Sequence, residues 1–116
     1  MDVKKFKEII KERERISVVS SDNDDFAIDK CWEELTELLS KNIEATIEYI
    51  ENECDNNEFA WISEVFDFVA KKTQSQEFID ALNRYADAHP SVHDLCNIRG
   101  SIGFAQAEIK FRNQAE

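Results

Sequence analysis

Glycine and proline are nearly missing from this chain of 116 residues: Gly100, Gly103 and Pro90 are all there are. Sandwiches and barrels use these residues at their many tight turns, so a fold of short strands is excluded on that count. Long apolar runs are also lacking, and no stretch of about 18 apolar residues exists to span a bilayer. The N-terminus, Met1-Asp2-Val3-Lys4-Lys5-Phe6, has no apolar run of the secretory type, and the expected location is the cytoplasm. Cysteine is limited to Cys31, Cys54 and Cys96, an odd number with no C-x-x-C pair, which suits buried free thiols better than disulfides or a zinc site. Cations are scarce too. Fourteen Lys and Arg face twenty-five Asp and Glu, a net charge of −11, which speaks against binding nucleic acid or an anionic membrane.

The deficit of cations is local. Residues 1–15 carry a net +2, residues 16–67 a net −13 with only Lys30 and Lys41 as cations, and residues 68–116 a net of zero. A solubilising face would mix acids with lysines at i,i+4 spacing. Here the acids lack such partners and repel one another, a cost that a basic partner surface relieves while being steered in by the same field.

What is present is an apolar fraction of 42% with eight Phe and two Trp, enough for one packed core. Its spacing predicts an all-α single domain of six to seven short helices in antiparallel pairs, arranged as a layered bundle or a short α-solenoid. Val3, Phe6, Ile9 and Ile10 predict a first helix ending near Arg15. Residues 16–25 read either as its continuation or as a loop. Phe26, Cys31, Trp32, Leu35, Leu38 and Leu39 mark a second helix after the capping run Ser21 to Asp25, and Ile43, Ile47 and Ile50 a third. Asp55 with Glu58 has capping-box spacing. It opens a helix over about 56–72 with Phe59, Ile62, Phe66 and Val69 on one side and Trp61, Val65 and Phe68 on the other. Apolar on two sides, that helix is expected at the centre of the domain. Ser75 caps a fifth helix ended by His89-Pro90, and Ser91 opens a short sixth. The last carries Ile98, Ile102, Ala105 and Ile109, its two glycines suggesting a close helix approach, and residues 113–116 are expected to fray.

Motifs of catalysis are wanting. With Asp22 as position 1 of an EF-hand, Phe26 stands at a ligand position and Ala27 at the turn glycine, so the run is a helix cap. His89, His93 and Cys96 are interrupted by Pro90 and have no fourth ligand nearby. Cys31 and Cys96 hold core-like positions, and Cys54 lies between Glu53 and Asp55, which disfavour a thiolate. No phosphate-binding loop or nucleophile elbow occurs. The expectation is a protein without catalytic residues, metal or cofactor.

The segments Phe59-Ala60-Trp61-Ile62-Ser63-Glu64-Val65-Phe66-Asp67 and Lys72-Thr73-Gln74-Ser75-Gln76-Glu77-Phe78-Ile79 resemble small, acidic, helical immunity proteins. Such proteins are encoded beside bacterial polymorphic toxins, including those of contact-dependent growth inhibition. The resemblance spans roughly 43–110 and implies a non-enzymatic protein that binds a cognate toxin domain, often a nuclease with a basic groove, and neutralises it in the cytoplasm. The expected partner-binding residues are Glu44, Glu48, Glu51, Glu53, Asp55, Glu58, Glu64 and Asp67. Glu44, Glu48 and Glu51 share one helical face, and Glu64 and Asp67 form an exposed strip beside it if the third and fourth helices are neighbours. A second stripe, Asp29, Glu33, Glu34 and Glu37, is held in reserve. An adaptor that binds a partner peptide between its helix layers is the alternative.

Overall fold

The computed structural model describes residues 1–21 and 23–110. Among these the chain is all-α, with helices α1 (Val3–Ser20), α2 (Asp25–Lys41), α3 (Ile43–Asn52), α4 (Asn56–Ile62), α5 (Phe66–Thr73), α6 (Gln76–Ala88) and α7 (Ile98–Ala107). Two 3-10 turns, Ser63–Val65 and Pro90–Asp94, complete the order. No helix among the described residues is long and apolar enough to cross a membrane. The expected fraying of residues 113–116 lies outside the described residues.

Caps set the boundaries. Asp24, Asn42, Asp55, Ser75 and Asn97 each accept a hydrogen bond from the backbone N–H three residues on, opening α2, α3, α4, α6 and α7. Helix α1 runs past the expected end near Arg15 to Ser20, and Ser21 closes it in the left-handed region at φ 53°. Its last turn buries Ile16 against Ile28 and Cys31 of α2, a small core of its own. Val18 and Val19, at 82% and 70% exposure, remain outside it. The segment 16–20 is therefore helix, and only the turn before Asp25 links the α1–α2 hairpin.

Where one straight helix is expected over 56–72, the chain bends. Phe59 and Phe66 would be separated by about 10.5 Å along a straight helix axis. Their ring centroids lie 5.2 Å apart, edge to face. The intervening 3-10 turn has the Ser63 hydroxyl bonded to the Ala60 carbonyl at 2.5 Å, and Val65 leaves the helical region at φ −121°, ψ 11°. The bend turns Phe59, Ile62, Val65, Phe66, Val69 and Ala70 inward together, all fully buried. The segment is the centre of the domain, as its two apolar faces suggest.

Helix α7 packs most extensively on α5, α3 on α6, and α1 on α2. The first two pairings are not consecutive along the chain. A solenoid unit touches only its sequence neighbours, so the architecture is a bundle wrapped around the bent α4–α5 segment. In place of a sixth helix from Ser91 there is the Pro90–Asp94 turn, which buries Val92 and leaves Leu95 55% exposed.

The glycines do not mark a helix approach. A Cβ at Gly103 would meet nothing within 4 Å, and one at Gly100 would meet the capping amide of Asn97, 2.8 Å from its Cγ. Gly103→Ala is therefore expected to stabilise the protein by about 0.5–1 kcal/mol. Urea unfolding monitored by circular dichroism checks the value.

Candidate protein-binding surface

The acids of the middle segment divide into two populations. One is consumed inside the fold. The Glu64 carboxylate accepts a bidentate pair from Arg13, Nε to Oε1 at 2.8 Å and Nη2 to Oε2 at 2.9 Å. Trp32 Nε1 donates to the same Oε1 at 3.0 Å, and the Arg13 guanidinium stands 4.9 Å from the Trp61 ring centroid. Arg13 is 5% exposed. The bend at Ser63–Val65 aims Glu64 between α1 and α2. It is not part of an exposed strip beside the third helix, because α3 packs on α6 and α2. Asp67, half-buried, lies one turn beyond.

Glu58 is likewise a structural acid and not the surface residue expected. It is 6% exposed, accepts from Lys7 Nζ at 2.7 Å and from the Tyr49 hydroxyl at 2.8 Å, and its backbone N–H is capped by Asp55 at 2.8 Å. Only the Asp55 half of the capping box is in place, since the Glu58 carboxylate is turned to Lys7 and Tyr49. The amphipathic period puts Glu58 on the same face as Ile62, an inward face that spacing alone reveals. What pattern reading missed was the basic N-terminal helix, whose Lys7 and Arg13 reach these acids.

Around Glu58 the titrating groups are held neutral or paired. Burial, followed by its hydrogen bond to Glu58 and that carboxylate's charge, pushes the Tyr49 phenol up to about 12. Burial and the charges of Glu58 and Asp55 raise the Cys54 thiol well above its ordinary value, so it is no nucleophile. Tyr85, whose hydroxyl donates to Asn56 Oδ1 at 2.8 Å, is raised chiefly by burial. The Lys7 ammonium is raised by its hydrogen bond to Glu58. The two histidine rings meet backbone carbonyls: His89 Nδ1 lies 3.0 Å from Tyr85 O while stacking on the Tyr85 ring, and His93 Nε2 lies 3.2 Å from Ala86 O.

The second population faces solvent. Glu44, Glu48, Glu53, Asp25, Asp29, Glu33 and Glu34 are exposed and form no ion pair with another described residue. Glu51 pairs with Arg84, and Glu37 with Lys72 at 2.8 Å. One of the three acids of the predicted α3 face is thus neutralised by α6, and Glu44 borders a recess of about 420 Å³ shared with Glu77, Asp80 and Arg84. The reserve stripe on α2 stands beside the larger recess, about 1240 Å³, whose lining includes Asp29, Glu33, Glu34 and Glu37 together with Trp32, Thr36, Leu38 and Phe68. Trp32 and Phe68 meet at 6.1 Å between ring centroids, and Phe68 is 42% exposed. At the hairpin tip Phe26 is 82% exposed.

Comparison with protein-family models, curated proteins and solved structures returned no match.

Two tests follow from the buried groups. Glu64→Ala removes the bidentate carboxylate from the buried Arg13 guanidinium and the acceptor of Trp32 Nε1, and a loss of about 3 kcal/mol is expected by chemical denaturation. Cys54, Tyr49 and Tyr85 all have folded-state values raised above their ordinary 9.0, 10.0 and 10.0. The unfolded chain therefore releases these protons first, so the stability these groups contribute is complete below about pH 9 and is lost as pH rises beyond it. Burial raises the Cys31 thiol as well, so Cys54→Ala is expected to make the fall shallower near pH 9, and Cys31→Ala together with Cys54→Ala to move its onset towards pH 10, where the unfolded tyrosines begin to ionise. Melting curves across this range measure it.

Proposed function

We propose that this protein is an immunity-type inhibitor, without catalytic activity, that binds and neutralises a basic toxin domain, a nuclease being the expected kind, in the cytoplasm. The observation that carries the reading is the set of exposed carboxylates on α2 and α3 that form no ion pair with another described residue, while Glu37, Glu51, Glu58 and Glu64 are neutralised within the fold. The bare carboxylates are concentrated on helices whose inner faces are committed to the core. Such a surface mimics the charge of a polyanion and steers a basic groove towards it.

Of the two acidic faces, the one on α2 fits a docking role better. Carboxylates alone accelerate encounter, whereas affinity needs desolvated apolar anchors at the centre of the contact. Helix α2 places Asp29, Glu33 and Glu34 beside Trp32 and Phe68. Glu44, Glu48 and Glu53 then act as a steering field at the rim, with Asp55 retained as a helix cap and Glu58, Glu64 and Asp67 belonging to the support beneath.

The test is a tagged pull-down from the native host at low and moderate salt, identified by mass spectrometry. One basic domain should be recovered at equal stoichiometry and released as salt rises. Reversing Asp29, Glu33 and Glu34 to Lys should slow association with that domain by about tenfold or more without altering the thermal melt. A partner indifferent to salt and to these substitutions would replace inhibition with the adaptor reading.

A further inference from the structure

The larger recess has a defined chemistry along its α5 side. Asp29, Glu33 and Glu37 stand at i, i+4 and i+8 of α2, so their Cα atoms repeat every ~6 Å along one edge. Inside that edge, Trp32 and Thr36 of α2 and Phe68 of α5 line the furrow. The Thr36 hydroxyl oxygen is buried and has no hydrogen-bond partner among the described residues, and one helical turn on the same is true of Ser40. Three lysines also line the recess, Lys5 of α1, Lys41 of α2 and Lys72 of α5; five carboxylates outnumber them, and Lys72 is paired with Glu37. The furrow therefore offers aromatic surface flanked by two carboxylates, Asp29 and Glu33, that form no ion pair with another described residue.

We propose that this α2–α5 furrow receives an amphipathic helix of a basic partner, its apolar residues on Trp32 and Phe68 and its lysines or arginines, four residues apart, on Asp29 and Glu33. Charge complementarity selects the partner: a second copy of this chain, net −11, would set acid against acid. The walls select the conformation. Both are helices with their backbone groups committed internally, so an extended peptide would find no sheet edge to bond and would leave its own amides unpaired. A helix brings its backbone bonds with it and docks by side chains alone. The inference rests on the reading that a basic protein is bound, and adds which element of that protein makes the contact.

The probe is a synthetic amphipathic helix of about five turns, with Lys at i, i+4 and i+8 beside a Leu stripe. Controls are a scrambled peptide of equal composition and one with Glu in place of Lys. Titration into the isotopically labelled full chain is followed by NMR. The expected result is saturable shifts of the Trp32 indole N–H and of α2 and α5 amides, with α3 and α6 unmoved. Asp29→Lys together with Glu33→Lys should weaken binding about tenfold or more, as should Phe68→Ser at unchanged charge. Equal binding of the scrambled peptide, shifts mapping elsewhere, or no saturable binding would overturn the proposal. Failure here while a basic domain is still neutralised removes the furrow and leaves the inhibitor reading intact. Peptide binding without neutralisation of any basic domain does the reverse.

Discussion

The Arg13–Glu64 pair fixes where three helices meet. A buried guanidinium is tolerable only when its charge and its donors are both answered. Glu64 answers two of the donors in a fork, the Trp61 face supports the cation from one side, and Trp32 donates to the same carboxylate from α2. Glu64 makes these contacts from the 3-10 turn Ser63–Val65, where the chain bends between α4 and α5. Lys7 with Glu58, and Glu14 with Trp61 and Asn57, repeat the same logic along α1. The basic N-terminal helix is thus an electrostatic clasp on the first half of the central segment.

This clasp explains the division of charge. Cations of α1 are spent on acids of α4 and the following turn, Arg84 on Glu51, Lys72 on Glu37 and Arg99 on Asp87. Asp29, Glu33 and Glu34 of α2 and Glu44 and Glu48 of α3 form no ion pair with another described residue. The resulting field is paid in self-repulsion and held in place by a core whose largest side chains, Phe6, Phe59, Phe66 and Phe78, are wholly buried. A surface that costs stability in isolation is what an inhibitor of a basic protein requires, because complex formation removes the repulsion.

Aromatic surface is distributed with the same asymmetry. Phe59 stacks between Phe66 and Tyr85 in the interior, whereas Phe68, one turn from the buried Val65, is left half in solvent beside Trp32. Phe26, Val18 and Val19 at the hairpin tip are more exposed still. These residues do little for the core. Phe68 and Trp32 share their recess with Asp29, Glu33 and Glu34.

Much of the fold was legible in the residues themselves. Helical period, the capping signals at Ser21 to Asp25, Asp55 and Ser75, and the scarcity of Gly and Pro determine an all-α domain and most of its boundaries, because these are local properties of the backbone. The central role of residues 59–70 was legible as well, since apolar residues on two sides of a helix demand neighbours on both. The bend within that segment was not, because it follows from packing Phe59 against Phe66 and from satisfying Arg13 some fifty residues away. Nor was the fate of each carboxylate: Glu58 and Glu64 look the same in sequence as Glu48 and Glu53. Sequence determines how many charges the chain carries and in which segment they lie. Only the tertiary structure decides which are neutralised, because a counter-ion is supplied by whichever helix packs opposite.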